Sequence, residues 1–247
     1  MGYLIQNDYL KQIQASMITQ LGGVSVLNQV ELSAEGELRS YLVQKYDIDK
    51  ELTNTAAWSN GVIYKAGNRV YNDSNVLYYA QYPYAVFNLH GNYAKGDKVW
   101  WNDRTYECKQ ATTYISHAGA IQYNSVQSIP PVNVFPDNGL IGAQYWTDLG
   151  AYTIAAGTAL SDATKWTQGD NRNQQLLMYL VDMVLYHVHS RIAPQNIPQL
   201  RQNRYDTALD WLVRSAKGEI TADLPVLQPK QGARIRFGGH VKQINGY

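Results

Sequence analysis

The stretch from residue 174 to residue 189, QQLLMYLVDMVLYHVH, carries the strongest structural signal in this sequence. Its apolar side chains recur every three or four positions, which is the spacing of an α-helix. They are Leu176, Leu177, Leu180, Val181, Val184, Leu185 and Val188. Because they cover nearly the whole circumference, we expect a central core helix over about residues 172–192. Asn171 or Asp170 would cap its start, and Pro194 would end it.

Three more stretches predict helices that pack around the central one. Residues 8–21 and residues 33–46 show the same spacing of apolar side chains, and Ser33 is the expected N-cap of the second. Residues 199–217 end in a basic turn followed by Gly218, which is typical of a helix C-terminus. Both ends of the chain are therefore predicted to be helical.

The middle of the 247-residue chain differs from both ends in composition. Residues 58–168 hold 12 of the 20 tyrosines and 5 of the 6 tryptophans, with 7 basic and 7 acidic side chains. Residues 1–57 carry 4 basic and 7 acidic side chains, a net of −3, and residues 169–247 carry 10 and 6, a net of +4. Short β-branched and aromatic runs between Gly, Asn and Asp clusters predict strands in the middle.

These observations predict an α+β protein with an inserted domain. Neither end is long enough to bury a large core alone, so residues 1–57 and 169–247 are expected to form one small helical domain together. Residues 58–168 are then an antiparallel β module inserted in a loop of that domain.

A near-repeat divides the predicted β module. YKAGNRVY at residues 64–71 resembles YAKGDKVW at residues 93–100, and each run is followed by an Asn-Asp pair that favours a hairpin turn. The spacing predicts two related hairpin units, at residues 64–80 and 93–110. The first unit could be a second copy of the module or an elaboration of the other.

Several classes of function lack their usual signals. The formal net charge is +1, and there is no run of about 18 apolar residues and no secretory leader pattern. We therefore expect no membrane partner and a protein assembled inside a cell. The single cysteine, Cys108, excludes an internal disulfide and a multi-cysteine zinc site.

Signals for catalysis and for metal or cofactor binding are missing as well. There is no glycine-rich phosphate loop and no serine elbow. His187 and His189 are two positions apart, so on a helix they face different directions and cannot chelate a metal together. A polysaccharide-cleaving enzyme would need a pair of carboxylates, and no such pair stands out. We expect no catalytic residue, no cofactor and no metal.

Residues 93–146 resemble the small chitin-binding type of carbohydrate-binding module. The resemblance rests on Gly96-Asp97-x-Val99, on Thr105-Tyr106-x-Cys108 and on the closing Tyr145-Trp146. It implies a three-stranded module whose exposed aromatic rings bind polysaccharide, with Trp101, Tyr106 and Trp146 as the candidate glycan platform. Strand alternation sends Trp100 and Trp101 to opposite faces, so at most one of them should be core. The alternative is that these rings are the bulky core of a small module.

The two ends of the chain resemble the head–tail connector proteins of tailed phages. The matching runs are LMYLVDMVLYHV at 177–188, RYDTALDWL at 204–212, AKGEI at 216–220 and YLVQKY at 41–46. The resemblance spans about residues 5–56 and 170–224, and it implies a ring of this subunit, commonly of twelve copies. Such a ring docks below the portal and above the next neck or tail protein, in a virion neck assembled in the host cytoplasm.

The C-terminal stretch, residues 225–247, contains basic side chains and no acid. The basic residues are Lys230, Arg234, Arg236 and Lys242. They predict an arm that binds a neighbouring subunit or the portal, a lumen lining near viral DNA, or a solvated terminus. The alternation in residues 233–237 favours an added strand.

Two hypotheses of function follow. The first is a structural, non-enzymatic virion protein, a connector ring subunit with an outward carbohydrate-binding-like insert. The second is a glycan-binding protein that uses the inserted β module, with the helical part as a scaffold. Both can hold in one protein.

Overall fold

Residues 2–112, 135–137 and 139–227 are described in the computed structural model, and they form seven helices and nine strands. The helices are α1 (Gln6–Leu10), α2 (Ala15–Gln20), α3 (Gly23–Leu42), α4 (Ile48–Glu51), α5 (Gly139–Tyr145), α6 (Gln174–Ile192) and α7 (Gln199–Lys217). The strands are β1 (Thr55–Ala57), β2 (Tyr64–Lys65), β3 (Arg69–Tyr71), β4 (Leu77–Ala80), β5 (Lys98–Trp101), β6 (Arg104–Cys108), β7 (Trp146–Ala151), β8 (Thr153–Ile154) and β9 (Trp166–Gln168). The prediction of an α+β fold is confirmed.

One core joins the helices from both ends of the chain. Its buried side chains come from residues 3–52 and 176–224. Helix α6 lies at its centre, with Leu180, Met183 and Val184 completely buried between α3 and α7. Burying each such side chain contributes roughly 1.5–3 kcal/mol. The prediction of a central helix is confirmed, and no described helix is both long and apolar enough to cross a bilayer.

The start of α6 differs from the prediction by a few residues, and the end of α7 agrees with it. Asn173, rather than Asn171 or Asp170, caps α6, since its side-chain oxygen accepts a hydrogen bond from the Leu176 N–H at 2.8 Å. Helix α7 ends as predicted, at Gly218, which adopts the left-handed conformation with a φ of 81°.

The N-terminal helices differ from the prediction. Residues 8–21 are not one helix, because a turn separates α1 from α2. Helix α3 begins at Gly23, not at Ser33, because Gly22 and Gly23 both have positive φ and reverse the chain there. Ser33 lies inside α3, where its hydroxyl donates to the Gln29 carbonyl at 3.4 Å instead of capping a terminus.

The insert contains two β modules, one of which lies inside the other along the chain. The outer module comprises residues 55–81 and 153–168, with β1 to β4, β8 and β9. The inner module comprises residues 85–112 and 135–151, with β5 to β7. Each module encloses a separate cluster of buried side chains. The inner module therefore interrupts the outer one after β4.

Strand pairing is the same in the two modules. In the outer module, β3 pairs antiparallel with β4 and parallel with β1, and β9 closes the sheet against β4. In the inner module, β5 pairs antiparallel with β6, a parallel bridge joins Val86 to Trp100, and β7 closes the sheet against β6. Strands β3 and β4 and strands β5 and β6 form two antiparallel hairpins, and the shared pairing makes residues 64–80 part of a second copy of the module.

A repeated tyrosine–tryptophan contact supports this equivalence. The rings of Tyr64 and Trp166 meet edge to face at 5.2 Å and 76°, and those of Tyr93 and Trp146 at 5.2 Å and 75°. Each tyrosine hydroxyl also bonds to both backbone groups of the residue five positions earlier, at 2.7 and 3.2 Å in the outer module and 2.7 and 2.9 Å in the inner one. The duplication therefore extends to side chains that hold the module together.

Candidate functional site

The predicted glycan platform does not form one exposed face. Tyr106 and Trp146 are only 4% and 2% exposed, and both lie in the inner-module core. Trp101 is half-buried against the rings of Phe87 and Phe135, at 5.7 and 5.1 Å. The expectation of exposed rings is therefore wrong for Tyr106 and Trp146. The physical reason is that so small a module uses its largest side chains to fill its core.

Both faces of strand β5 are covered. Trp101 faces the inner-module core, and Trp100 on the opposite face meets the ring of Tyr82 edge to face at 4.7 Å. Trp100 is 9% exposed and Trp101 is half-buried, so only one of the two tryptophans is fully buried, as predicted, and neither ring is freely exposed. Alternation along the strand is as expected, but Tyr82, in the segment that links the two modules, covers the second face.

The contact between Trp100 and Tyr82 forms one wall of a cleft of about 850 Å³. The cleft lies where the two modules meet the helical domain. Its lining includes Lys65 of the outer module, Asp103 of the inner module and Val226 of the helical domain. It is the candidate ligand site in the part of the chain that the structure describes.

The cleft is polar but nearly balanced in charge. Lys65 Nζ lies 2.5 Å from Asp103 Oδ2, an ion pair that joins the two modules. The ammonium of Lys50 lies 5.9 Å from the centre of the Tyr82 ring. Burial raises the pKa of Tyr82, so its hydroxyl keeps its proton at neutral pH. These groups can hydrogen-bond to a neutral, hydroxyl-bearing ligand.

A second polar centre lies on the helical domain, where three long helices meet at Glu37. Its carboxylate accepts a hydrogen bond of 2.6 Å from the Tyr205 hydroxyl, and its other oxygen lies 2.9 Å from His187 Nε2. His189 instead contacts the Leu185 carbonyl through Nδ1 at 2.6 Å. The prediction that the two histidines face different directions is confirmed, and Glu37 joins α3 to α6 and α7.

Two buried carboxylates on α3 hold the start of the chain. Glu31 accepts a hydrogen bond from the Leu4 N–H at 2.9 Å, and Glu35 accepts one from the Tyr3 N–H at 3.1 Å. Burial raises the pKa of Glu31 to about 7. These carboxylates serve as structural acceptors for an extended segment rather than as a reacting pair.

A cluster of buried charges lies where the insert joins the helical domain. Its buried members are Arg69 from β3, paired with Glu51 from α4, and Arg172, paired with Asp8; the more exposed Asp170 also bonds to Arg172. Burial alone would lower the pKa of Arg172, but hydrogen bonds to Asp170 and Asp8 outweigh it and raise that pKa. Sequence patterns did not single out this cluster, because its members are spread from residue 8 to residue 172.

Within the described ranges, no group of three His, Cys, Asp or Glu side chains could hold a metal ion. The candidate arm residues lie outside those ranges. They are Lys230, Arg234, Arg236 and Lys242.

No protein-family model, curated protein or solved structure matches this chain.

Proposed function

We propose that the protein is a structural virion protein, a subunit of a head–tail connector or neck ring that docks below the portal and carries the β insert outward. The observation that supports this proposal is a pair of unlike surfaces on the helical domain, an exposed helix face and a groove with an apolar floor and charged residues in its lining. A ring joins two different surfaces of one subunit, so it needs such a pair.

The first surface is the outer face of α3. Every fully exposed side chain of this 20-residue helix is uncharged. These residues are Val24, Ser25, Gln29, Leu32, Ser33, Gly36 and Ser40. Leu32 is 66% exposed, and its acidic neighbour Glu31 is turned into the core. An uncharged helix face with an apolar side chain at its middle suits a protein contact better than solvent.

The second surface is a groove of about 630 Å³ between α1, α6 and α7. Leu177, Met178 and Val181 of α6 give it an apolar floor, and Lys11 and Arg204 lie in its lining. None of its lining residues belongs to α3. The two surfaces therefore share no residue and are available for contacts with two different neighbours.

The proposed partners are further copies of this chain in a ring of about twelve, the portal, and the next neck or tail protein. The basic C-terminal arm would contact a neighbour, the portal or viral DNA in the lumen. The proposal includes no catalytic step.

The mass of the full chain in solution, alone and then mixed with the portal of the same particle, tests this proposal. We expect a ring, or a stoichiometric complex with the portal, by native mass spectrometry. A chain that stays monomeric and does not bind the portal would contradict it.

A pair of variants tests the α3 surface. We expect Leu32→Lys to abolish ring formation or portal binding, because it places an unpaired charge in the centre of a face whose one partly exposed charge, Arg39, is paired with Asp49. Leu149→Lys is the matched control, since Leu149 is also an exposed leucine, 45% exposed, but belongs to the inner module. Equal assembly of both variants would exclude the α3 face as the contact.

The second candidate function is glycan binding by the insert, and the polar cleft between the duplicated modules favours it. The cleft combines aromatic walls with hydrogen-bonding groups and little net charge, which suits a sugar. This moves the candidate site away from the buried Tyr106 and Trp146.

Retention of the full chain on insoluble chitin and on cellulose tests glycan binding. Val226→Trp would fill the cleft, because Val226 is exposed and lines it, whereas Leu227→Trp adds the same ring at an exposed neighbour outside the lining. We expect only Val226→Trp to lose retention. No retention of the unsubstituted chain would exclude glycan binding, and equal retention of both variants would exclude the cleft.

A further inference from the structure

Arg69 of the outer module reaches into the helical domain. Its side chain is buried, with 7% of its surface exposed. The guanidinium donates to the Glu51 carbonyl at 2.5 Å and to the Asn171 side-chain oxygen at 2.7 Å. The Glu51 carboxylate lies 3.5 Å from the same guanidinium. A single side chain of the insert thus contacts both segments of the helical domain that lead into and out of it.

Glu51 extends this contact to the start of the chain. Its carboxylate accepts a hydrogen bond of 2.7 Å from the Tyr3 hydroxyl and one of 2.8 Å from the Asn173 N–H, at the N-cap of α6. Arg69 and Arg172 both lie 5.6 Å from the centre of the Tyr3 ring. The N-terminal segment, α4 and α6 therefore meet the insert at one point.

Arg172 completes the cluster from the helical side. Its fully buried guanidinium makes two hydrogen bonds to Asp8, at 2.7 and 3.0 Å, and one of 2.8 Å to each oxygen of Asp170. It also donates to the Tyr3 carbonyl at 3.1 Å. Each buried charge in the cluster is therefore paired, as buried charges require.

The inner module shows that the β frame itself does not require this cluster. Lys98 occupies the position in β5 that Arg69 occupies in β3, 29 residues earlier. Lys98 is exposed and lies 4.0 Å from Glu107 on the neighbouring strand. The burial of Arg69 is a property of the junction and not of the duplicated module.

We propose that the junction clamp, formed by Arg69, Glu51, Arg172, Asp8 and Tyr3, holds the insert in one orientation, so that insert and helical domain move as one rigid body. A domain inserted through exposed linkers moves by default. Here a rotation of the insert would pull Arg69 away from Glu51 and Asn171 and break an ion pair that is buried on both sides. This property belongs to each single chain, so it goes beyond the proposed function and does not depend on ring formation.

Distance measurement by pulsed electron paramagnetic resonance tests the clamp. Spin labels are attached at Gln202→Cys on α7 and Lys95→Cys on the inner module, both exposed positions, and labelled full-length chains are diluted with unlabelled ones. Cys108 is buried, and burial raises the pKa of its thiol, so it stays unlabelled. We expect a single narrow distance distribution in the unsubstituted protein.

Arg69→Met should broaden this distribution at least twofold, whereas Lys98→Met, the equivalent change in the inner module, should leave its width unchanged. A broad distribution in the unsubstituted chain, or equal widths in Arg69→Met and the unsubstituted chain, would overturn the proposal. If Arg69→Met does not fold, Arg69→Lys decides the question. It keeps the charge but loses the forked contact to Glu51 and Asn171, so its distribution should also broaden, and an unchanged width would overturn the clamp.

Discussion

The outer and inner modules share one strand pairing and one tyrosine–tryptophan contact, yet a basic residue at the same position differs in its surroundings. Arg69 is buried in the junction clamp, and Lys98, at the start of β5, is exposed and lies near Glu107. The backbone frame therefore determines where a side chain points, and the neighbouring domain determines whether it is buried. The outer module supplies a buried arginine to the junction with the helical domain, and the described part of the inner module has no equivalent buried charge.

Replacing the basic residue should give the largest difference in stability between the two modules. We expect Arg69→Met to lower the free energy of unfolding by about 3–5 kcal/mol, because it leaves the Glu51 carboxylate buried without its cation. Lys98→Met removes an exposed pair and should cost less than about 1 kcal/mol. Urea denaturation of both variants measures the difference. Equal losses of unfolding free energy in the two variants would show that Arg69 stabilises the protein no more than an exposed lysine does.

Substitution of equivalent core residues should destabilise the two modules by similar amounts, because these residues have similar surroundings. Val70 and Val99 are equivalent, and they are 1% and 2% exposed. We expect Val70→Ala and Val99→Ala each to cost about 1–3 kcal/mol, the sum of lost burial and the cavity left behind. Hydrogen exchange of the two modules, read separately, measures each loss. Each variant should lose protection from hydrogen exchange in its own module. If both variants lost protection in the same module, the two cores would not be independent.

The hairpin turns offer a smaller test. Asn102 in the inner module has a φ of 46°, and Asn75 in the outer module has a φ of 58°. Alanine at either position should cost about 1–2 kcal/mol, because it lacks the short polar side chain whose local hydrogen bonds let asparagine adopt the left-handed region. Glycine at the same position serves as the control and should preserve thermal stability. If alanine and glycine gave the same melting temperature, the positive φ would not be needed.

A pH series extends the comparison to two buried carboxylates of the helical domain. Glu51 is paired with Arg69, whereas Glu31 accepts hydrogen bonds from the Leu4 N–H and the Tyr9 hydroxyl. Burial raises the pKa of Glu31 to about 7, above its ordinary value of 4.5. The unfolded chain therefore releases this proton more readily, and stability should fall as the pH rises from about 4.5 to about 7. The loss of stability should flatten above about pH 7.

Glu31→Gln keeps an acceptor for the Leu4 N–H but has no charge to bury. Thermal melts between pH 5 and 8 should show a weaker pH dependence in this variant than in the unsubstituted protein. An identical pH dependence in both would mean that another group is responsible. Glu37→Gln is the control on the same helix, since that carboxylate is partly exposed.

Elements with a local signal could be predicted from the sequence. The apolar periodicity of α6 and the glycine after α7 identified both helices nearly to the residue. Ser33 was misleading because N-cap preference is weak compared with twenty residues of continuous helix. Gly22-Gly23 was recognised as the end of the first predicted helix. It is also the start of α3, which the sequence pattern did not indicate.

Features that depend on distant partners could not be predicted. Strand alternation placed Trp100 and Trp101 on opposite faces, but it could not show that Tyr82 covers one face and Phe135 the other. The burial of Trp146 depends likewise on Tyr93, more than fifty residues earlier. For the same reason the candidate cleft was missed, since it exists only where three separate parts of the chain meet.

The nesting of the modules also sets an order of completion during synthesis on the ribosome. The inner module can close once Trp146 has emerged, whereas the outer module must wait for Trp166 and the helical core for α6 and α7. At about 5–20 residues per second, the stretch between α3 and α6 takes on the order of ten seconds to make. Throughout that time α3 has neither α6 nor α7 to pack against, so the helices that are made first are among the last to complete their core.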